Sequence, residues 1–294
     1  MGELGMRGEG KRGSRCTRIG KVVFIHFGVL PRARGCVFEV NEQHVYRAAT
    51  LNYTIPFEHT GFSIEEELVD NVEVSLEERS MHQKIDFKTV FSWNASDIDE
   101  AVYERCANSR LRVCEIPFWR SDYAPYQVTR ALRTMFIERK ISEYITETKE
   151  EGTVYIVMSA DILLNFPLDF RDLQDAKCER NSIFMTRNND GPDGYTNGVY
   201  VGGGYAVSRA LSTYDHLEDM FDMGYEENPY ETLLKINCDL LGIQHQTLKG
   251  FGLFLHDLVK VRATGETFGN LACAAKILLN FDICPQLEGH WCFS

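Results

Sequence analysis

Asp161 is the residue whose type and position most clearly suggest chemistry. It directly follows residues 153 to 160, an almost uninterrupted run of β-branched and apolar side chains that predicts a strand buried on both faces. A carboxylate at the end of such a strand is costly unless it meets solvent, a hydrogen-bond donor or a cation. Mg²⁺ or Mn²⁺ bound to a diphosphate would be a suitable cation, because both ions prefer oxygen ligands. The alternative is that Asp161 caps a turn over residues 162 to 164.

The elements that must position Asp161 alternate between strands and helices. Strands are predicted over residues 21–27, 88–93, 112–118, 153–160, 181–186, 198–207 and 258–261. Helices are predicted over residues 98–107, 125–147, 208–220 and 229–241, with 64–79 as a further candidate. This alternation predicts an α/β fold with a mostly parallel central sheet flanked by helices. In an open sheet of this kind, ligands bind beyond the carboxyl ends of the strands, where Asp161 would lie.

The composition is that of a folded globular protein. The chain has 294 residues, of which 44% are hydrophobic and 25% are charged. Its net charge is −12, whereas nonspecific nucleic-acid binding needs a surplus of Lys and Arg, so nucleic acid is not an expected partner. Basic residues are concentrated before the first apolar run, which predicts a disordered basic leader over residues 1–20 and a single domain over residues 21–294.

No segment has the features of a signal peptide or a membrane span. The apolar run over residues 22–30 is short, contains His26 and is followed by Pro31-Arg32-Ala33-Arg34 instead of small residues suited to cleavage. No apolar stretch approaches the ~20 residues of a membrane-spanning helix. The nine cysteines include no CxxC pair, and several lie in apolar runs, as reduced core thiols do. A soluble, cytoplasmic protein is therefore expected.

Polar and glycine-bearing segments follow one another in a defined order. They are Ser159-Ala160-Asp161, Asp193-Gly194-Tyr195-Thr196-Asn197-Gly198, Val201-Gly202-Gly203-Gly204 and Asn228-Pro229-Tyr230-Glu231-Thr232-Leu233-Leu234. This order resembles nucleotide-diphospho-sugar glycosyltransferases of the GT-A type, and is most similar to a group found in bacterial polysaccharide clusters and large DNA viruses. In that group, a long helix with Gln and Arg precedes a strand ending in an R-x-D or D-x-D-like triplet, as Gln127, Arg130 and Arg133 precede Asp161 here. The resemblance extends over roughly residues 21 to 263 and rests on short motifs.

The resemblance implies a fold, a reaction and a set of donor-binding residues. The fold would be GT-A-like, with a Rossmann-like nucleotide-binding half over about residues 21–165 and an acceptor-side half over about residues 166–294. The reaction would transfer a hexosyl or pentosyl group from a nucleotide-diphosphate sugar to a glycan or protein-linked acceptor. The donor-binding residues implied by the resemblance are His26, Gly28, Arg34, Gln127, Arg130, Arg133, Ser159, Asp161, Asn197 and Gly203.

Within this set, arginine and glycine have distinct roles. Arg34 or Arg130 could bind the diphosphate in a bidentate manner, although either could be an ordinary surface charge. Gly203, with the glycines on either side of it, would let the backbone approach the donor or acceptor sugar closely, or would mark only a bulge in a strand. A phosphate-binding loop is not expected there, because no strand-to-helix turn of that kind is predicted at these glycines.

The Ser159-Ala160-Asp161 triplet departs from the family pattern, since serine replaces its first acidic or basic member. Asp161 would then be the only protein carboxylate on a Mn²⁺ or Mg²⁺ ion, with donor phosphates and water completing the coordination. Transfer without a metal is the alternative.

Two carboxylates are candidate catalytic residues. Glycosyl transfer needs a stabilised leaving diphosphate and, if the configuration at the sugar inverts, a base for the acceptor hydroxyl. Asp193, in the turn-rich segment 187–194, and Glu231, at the start of a predicted helix, could supply that base. Asp193 could instead shape its turn, and Glu231 could complement the helix N-terminus. A noncatalytic nucleotide-sugar- or glycan-binding relative and a structural protein that keeps only the fold are the other classes considered.

Overall fold

The computed structural model describes residues 18–28, 45–46, 55–65, 87–108, 125–159, 162–164, 168–185, 198–225, 228, 230–247, 258–261 and 267–268. The strands are β1 (Lys21–Gly28), β2 (Phe57–Glu65), β3 (Phe87–Asn94), β4 (Thr153–Ser159), β5 (Ile162–Leu164), β6 (Ser182–Met185), β7 (Val199–Gly203), β8 (Gln244–Thr247), β9 (Leu258–Val261) and β10 (Thr267–Phe268). The α-helices are α1 (Ala95–Asn108), α2 (Pro125–Thr148), α3 (Phe170–Cys178), α4 (Gly204–Ala210), α5 (Leu217–Asp222) and α6 (Tyr230–Leu240), and a 3₁₀ helix covers Thr213–His216.

Seven strands form the central sheet in the order β3-β2-β1-β4-β7-β6-β8. The pairs β1–β2, β2–β3, β1–β4 and β6–β8 are parallel, whereas β7 runs antiparallel to both β4 and β6. Helices cover this sheet, so the predicted α/β fold with a mostly parallel central sheet is confirmed.

The two central strands, β1 and β4, are buried on both faces. Alternate side chains of each strand enter two separate hydrophobic clusters, because successive residues of a strand point to opposite faces of its sheet. One face packs against α2 and the other against α3. Tyr155 and Val157 of β4 belong to the α2 side, and Val154, Ile156 and Met158 to the α3 side. The near-continuous apolar run of β4 is therefore explained by its position in the middle of a sheet covered by helices on both faces.

The helix predicted over residues 125–147 is confirmed as α2. Its side chains Leu132, Met135, Ile141 and Ile145 are buried against the sheet. Leu132 and Met135 are three residues apart and Ile141 and Ile145 are four apart, so the members of each pair lie on the same side of the helix.

Two predicted elements differ in the structure. The segment 198–207 was expected to be a strand, but the strand ends at Gly203 and a helix begins at Gly204. Ala206 and Val207 are thereby buried in the α2-side core, so the gain from tertiary packing outweighs the β-propensity of this segment. Gly202, Gly203 and Gly204 thus lie at a strand-to-helix junction, although no such turn was predicted at these glycines. The helix predicted over 208–220 is likewise divided into the end of α4, the 3₁₀ helix and α5.

The strand at the C-terminal side was placed in the wrong sheet. Leu258–Val261 was expected to close the central sheet, but it lies in the middle of a three-stranded sheet with the order β10-β9-β5. Ile162–Leu164, considered as a turn, is the edge strand β5 of that sheet and pairs antiparallel with β9. The sequence does not determine which strand β9 pairs with, because a short apolar strand has no pattern that specifies its neighbour. The pairing is decided by the tertiary structure.

Residues at the edge of the predicted leader already belong to the fold. Ile19 is buried, and the backbone N–H of Gly20 donates to the carbonyl of Gly152. The strand predicted over residues 112–118, and most of the helix considered over 64–79, lie outside the described residues. None of the described helices has the length and apolar character needed to cross a membrane.

The expectation of reduced thiols is wrong at one position. Cys178, at the end of α3, is disulfide-bonded, while Cys238 in α6 is a free, buried thiol. Burial raises the pKa of the Cys238 thiol to about 12, which fits an inert core position.

Candidate functional site

The candidate site is the edge of the sheet where β1 and β4 end. Phe27 pairs with Ser159, so the carboxyl ends of these neighbouring parallel strands lie side by side. Gly28 ends β1 with φ of 113°, a conformation that favours glycine and lets the chain leave the strand sharply. Beside it, the N–H of Ser159 donates to the carbonyl of Gly198 at 2.7 Å, which brings the start of β7 to the same edge.

This edge is also where the chain order of the strands reverses. From β1 the chain continues to β2 and β3 on one side, and β4 lies on the other side of β1. A crevice outside the carboxyl ends at such a switch point is where open α/β sheets bind their ligands. The register therefore selects the region beyond Gly28 and Ser159 as the candidate ligand site.

Two predicted donor-binding residues adjoin this edge in the sequence. Asp161 lies outside the described residues, in the two-residue link between Ser159 of the central sheet and Ile162 of the second sheet. Asn197 also lies outside them and directly precedes Gly198. Arg34 and the candidate base Asp193 are outside the described residues as well.

His26, predicted to contact the donor, is fully buried. Its Nδ1 lies 2.9 Å from Nε2 of His59 on β2, and both rings pack against Phe24. Burial, followed by the charge of His59, lowers the pKa of His26 well below its usual value of 6.5, so the ring is neutral at physiological pH. Within the described structure, His26 supports the β1–β2 pair from inside the core.

Arg133 connects two helices. Its guanidinium group makes two contacts with the carboxylate of Asp99 in α1, a bidentate geometry that suits arginine. Binding a diphosphate would require this pair to open. Gln127 and Arg130 lie in the first turns of α2, before Arg133 along the same helix.

Gly203 lies at the opposite edge of the sheet. Since β7 is antiparallel to β4, Gly203 pairs with Val154 near the start of β4. The distance from there to Ser159 is five residues of extended strand, about 16 Å. The structure therefore does not bring Gly203 together with Gly28 and Ser159.

The glycines that flank Gly203 have a packing role. A Cβ atom on Gly202 would lie 3.1 Å from Val207 Cγ2 and 3.2 Å from the Ser182 carbonyl oxygen. On Gly204 it would lie 3.0 Å from Tyr155 Cε2. On Gly203 it would meet nothing within 4 Å. Close packing of α4 on the sheet thus accounts for two of the three glycines.

Glu231 occupies the first turn of α6 and is partly exposed. The preceding residue, Tyr230, points into the core, where its hydroxyl donates to Glu138 Oε2 of α2. Tyr200 of β7 donates to Glu138 Oε1 at 2.7 Å, and the two tyrosine hydroxyls are 3.2 Å apart. We call Glu138, Tyr200 and Tyr230 the buried acid cluster.

Burial dominates the electrostatics of this cluster. It raises the pKa of Glu138 from 4.5 to about 7, against the opposing effect of the two tyrosine hydrogen bonds and with a further rise from the charge of Glu231. Burial, followed by the charge of Glu138, also raises the pKa of both tyrosines well above 10. At neutral pH, Glu138 is therefore a mixture of carboxylic acid and carboxylate.

No protein-family model matches this sequence, and no curated protein sequence does. Solved glycosyltransferases are among its structural neighbours. The apo form of mouse xyloside xylosyltransferase 1 is 11% identical with a TM-score of 0.41, and the match covers 78% of this chain and 84% of that one. The glycosyltransferase GlyE of Streptococcus pneumoniae TIGR4 is 12% identical with a TM-score of 0.39, over 79% of this chain and 46% of GlyE, less than half its length. Likenesses this low in identity and TM-score decide neither family nor reaction.

A metal site was expected at Asp161. Among the described residues, no three His, Cys, Asp or Glu side chains lie close enough together to hold a metal ion. Ser159, which ends β4 and is partly exposed, is the described member of the expected triplet. Its hydroxyl oxygen is chemically suited to a hard divalent ion but does not by itself form a site.

The buried acid cluster was not predicted from the sequence, although one signal for it was present. Glu138 is three residues after Met135 and three before Ile141, so it falls on the apolar face of α2. A charged residue on that face must find a polar partner in the core. The partners themselves, Tyr200 and Tyr230, are distant in sequence and cannot be identified by spacing.

Proposed function

We propose that this protein is a glycosyltransferase, of the hexosyl- or pentosyltransferase type, that takes a sugar from a nucleotide-diphosphate donor. The single observation that carries the proposal is the register of β1 and β4, whose carboxyl ends meet at the switch point of the central sheet. Asp161 follows this edge by two residues, and Asn197 precedes Gly198 at the same edge. The order of motifs that resembles GT-A enzymes supplies the reaction class, with similarity to the bacterial and viral group as part of the proposal.

The donor would lie across this edge, with its nucleotide toward the end of β1. Arg34 or Arg130 would neutralise the diphosphate, since a guanidinium group matches phosphate oxygens in geometry. Asp161 would hold a Mn²⁺ or Mg²⁺ ion, which would supply positive charge to the departing diphosphate. The donor-binding half would span about residues 21–165.

The acceptor, a glycan or protein-linked sugar, would approach from the half formed by residues 166–294. Asp193 or Glu231 would accept the proton of its attacking hydroxyl if the configuration at the sugar inverts. Glu231 is the described candidate, because its partly exposed side chain lies beside the buried acid cluster. A role in glycan biosynthesis completes the proposal, whereas the disulfide at Cys178 argues against the cytoplasmic location expected from the sequence.

A thermal-shift screen tests the donor. We expect one class among UDP-, GDP-, CMP- and dTDP-sugars to raise the melting temperature, more strongly with Mn²⁺, because a ligand that binds only the folded state stabilises it. Asp161→Ala should lose the Mn²⁺-dependent part of the shift and reduce sugar transfer at least 100-fold while keeping its melting temperature without donor. Asp219→Ala, which removes an exposed carboxylate of α5, is the matched control. Full transfer by Asp161→Ala would rule out the assignment of Asp161.

A noncatalytic nucleotide-sugar- or glycan-binding relative is the second candidate, because Ser159 replaces the first charged member of the acidic triplet. For that function, we expect donor binding in calorimetry with neither transfer nor slow donor hydrolysis.

A further inference from the structure

The buried acid cluster joins three elements through one carboxyl group. Glu138 of α2 is fully buried, as is Tyr200 of β7, and Tyr230 of α6 is 3% exposed. Both tyrosine hydroxyls donate to Glu138, one to each oxygen. A buried carboxyl group is costly, and apolar side chains of similar volume often give equal or greater stability. Stability alone is therefore a weak reason for an acid at this position.

The cluster includes a strand residue close to the candidate site. Tyr200 pairs with Val157 of β4, two residues before Ser159 at the carboxyl edge. Tyr230 is the first residue of α6 and immediately precedes Glu231. The hydrogen bonds of Glu138 thus tie the start of α6 to β7, the strand that begins beside the end of β4.

We propose that Glu138 is a positioning residue, which acts through Tyr230 to hold Glu231 at the edge of the sheet where β4 ends and β7 begins. The inference rests on the proposed function, because it gives Glu231 a role in sugar transfer. The position of Glu231 depends on where α6 begins, and the hydroxyl of Tyr230 is anchored at that point. Catalytic groups need placement to within a fraction of an ångström, which a fully satisfied buried network provides.

The titratable groups that act on Glu138 come from two neighbouring elements. Tyr200 faces it from β7, and Tyr230 faces it from α6, where Glu231 adds a like charge. On α2 itself, Arg139 is paired with Asp215 at 2.9 Å and with Glu143 at 3.2 Å. The described structure thus connects Glu138 to Tyr230 by a hydrogen bond and to the neighbouring Glu231 by charge.

Steady-state kinetics of three variants test the inference. The probes are UDP-glucose, UDP-xylose, GDP-mannose and dTDP-glucose, each assayed for sugar transfer and donor hydrolysis. Tyr230→Phe and Glu138→Leu should lower kcat at least 10-fold and change the donor KM less than 2-fold, since donor contacts stay in place. Glu138→Gln keeps the length and hydrogen-bonding capacity of the side chain and should retain at least one third of wild-type kcat.

The outcomes separate this inference from the proposed function. Glu143→Gln, which changes a more exposed carboxylate on the same helix, should match the wild type. An active wild type with unchanged kcat in both Tyr230→Phe and Glu138→Leu would overturn the positioning role alone. A wild type inactive on every probe would overturn the proposed function and, with it, this inference. If Glu138→Leu fails to fold, Tyr230→Phe decides, because it removes only one hydroxyl.

Discussion

At the scale of single residues, two of the buried titratable side chains, Glu138 and His26, affect stability in opposite directions with pH. Glu138 has a pKa raised by burial, whereas the pKa of His26 is lowered by burial. The folded state therefore favours the neutral form of both side chains. Each site should leave its own signature in the pH dependence of unfolding, because stability changes wherever the folded and unfolded states bind different numbers of protons.

Glu138 should make the protein less stable as the pH rises. Its pKa is about 7 in the folded state and 4.5 ordinarily, so its contribution is complete below pH 4.5 and is lost as the pH rises through 7. A difference of this size corresponds to on the order of 3 kcal/mol. In urea unfolding, the free energy of unfolding of Glu138→Gln should not show this decrease as the pH rises. A variant curve parallel to that of the wild type between pH 4.5 and 8 would contradict the assignment.

His26 should act in the acidic range. Because its folded-state pKa lies well below 6.5, its contribution is present above pH 6.5 and is lost as the pH falls below that value. His26→Phe should be less stable at pH 7 by about 1–3 kcal/mol, since the buried partner His59 loses a hydrogen bond. It should also lose stability less steeply between pH 6.5 and 5. Unfolding midpoints of both proteins across this range measure the difference, and equal slopes would count against it.

At the scale of elements, the junction of β7 and α4 decides which glycines are needed. Gly202→Ala would press a methyl group against Val207 and the Ser182 carbonyl, and we expect it to cost about 1–3 kcal/mol. Gly203→Ala should be tolerated within about 0.5 kcal/mol, because its new methyl group meets nothing and its φ of −69° is ordinary. Chemical unfolding of the two variants provides a matched comparison. Equal destabilisation would show that this packing does not explain Gly202.

The elements also differ in how far sequence could predict them. α2 and β4 were predicted closely, because each has an apolar pattern long enough to identify its type. The boundary between β7 and α4 was misplaced by several residues, since residues 204–207 include the aromatic Tyr205 and the β-branched Val207 yet pack as a helix. The free energy of the local strand preference of a short segment is small compared with the free energy gained by burying Ala206, Val207 and Ala210.

At the scale of the whole molecule, the sequence by itself determined the class of fold, because the alternation of apolar strands and amphipathic helices permits few architectures. It also determined that the central strand would end at a polar segment containing Asp161. Only the tertiary structure decided which strand ends meet, that Gly203 lies at the far edge from them, and that Glu138 is shared by two tyrosines. The physical reason is that periodicity records which face of an element is buried, whereas the partner buried against it depends on strand order and register.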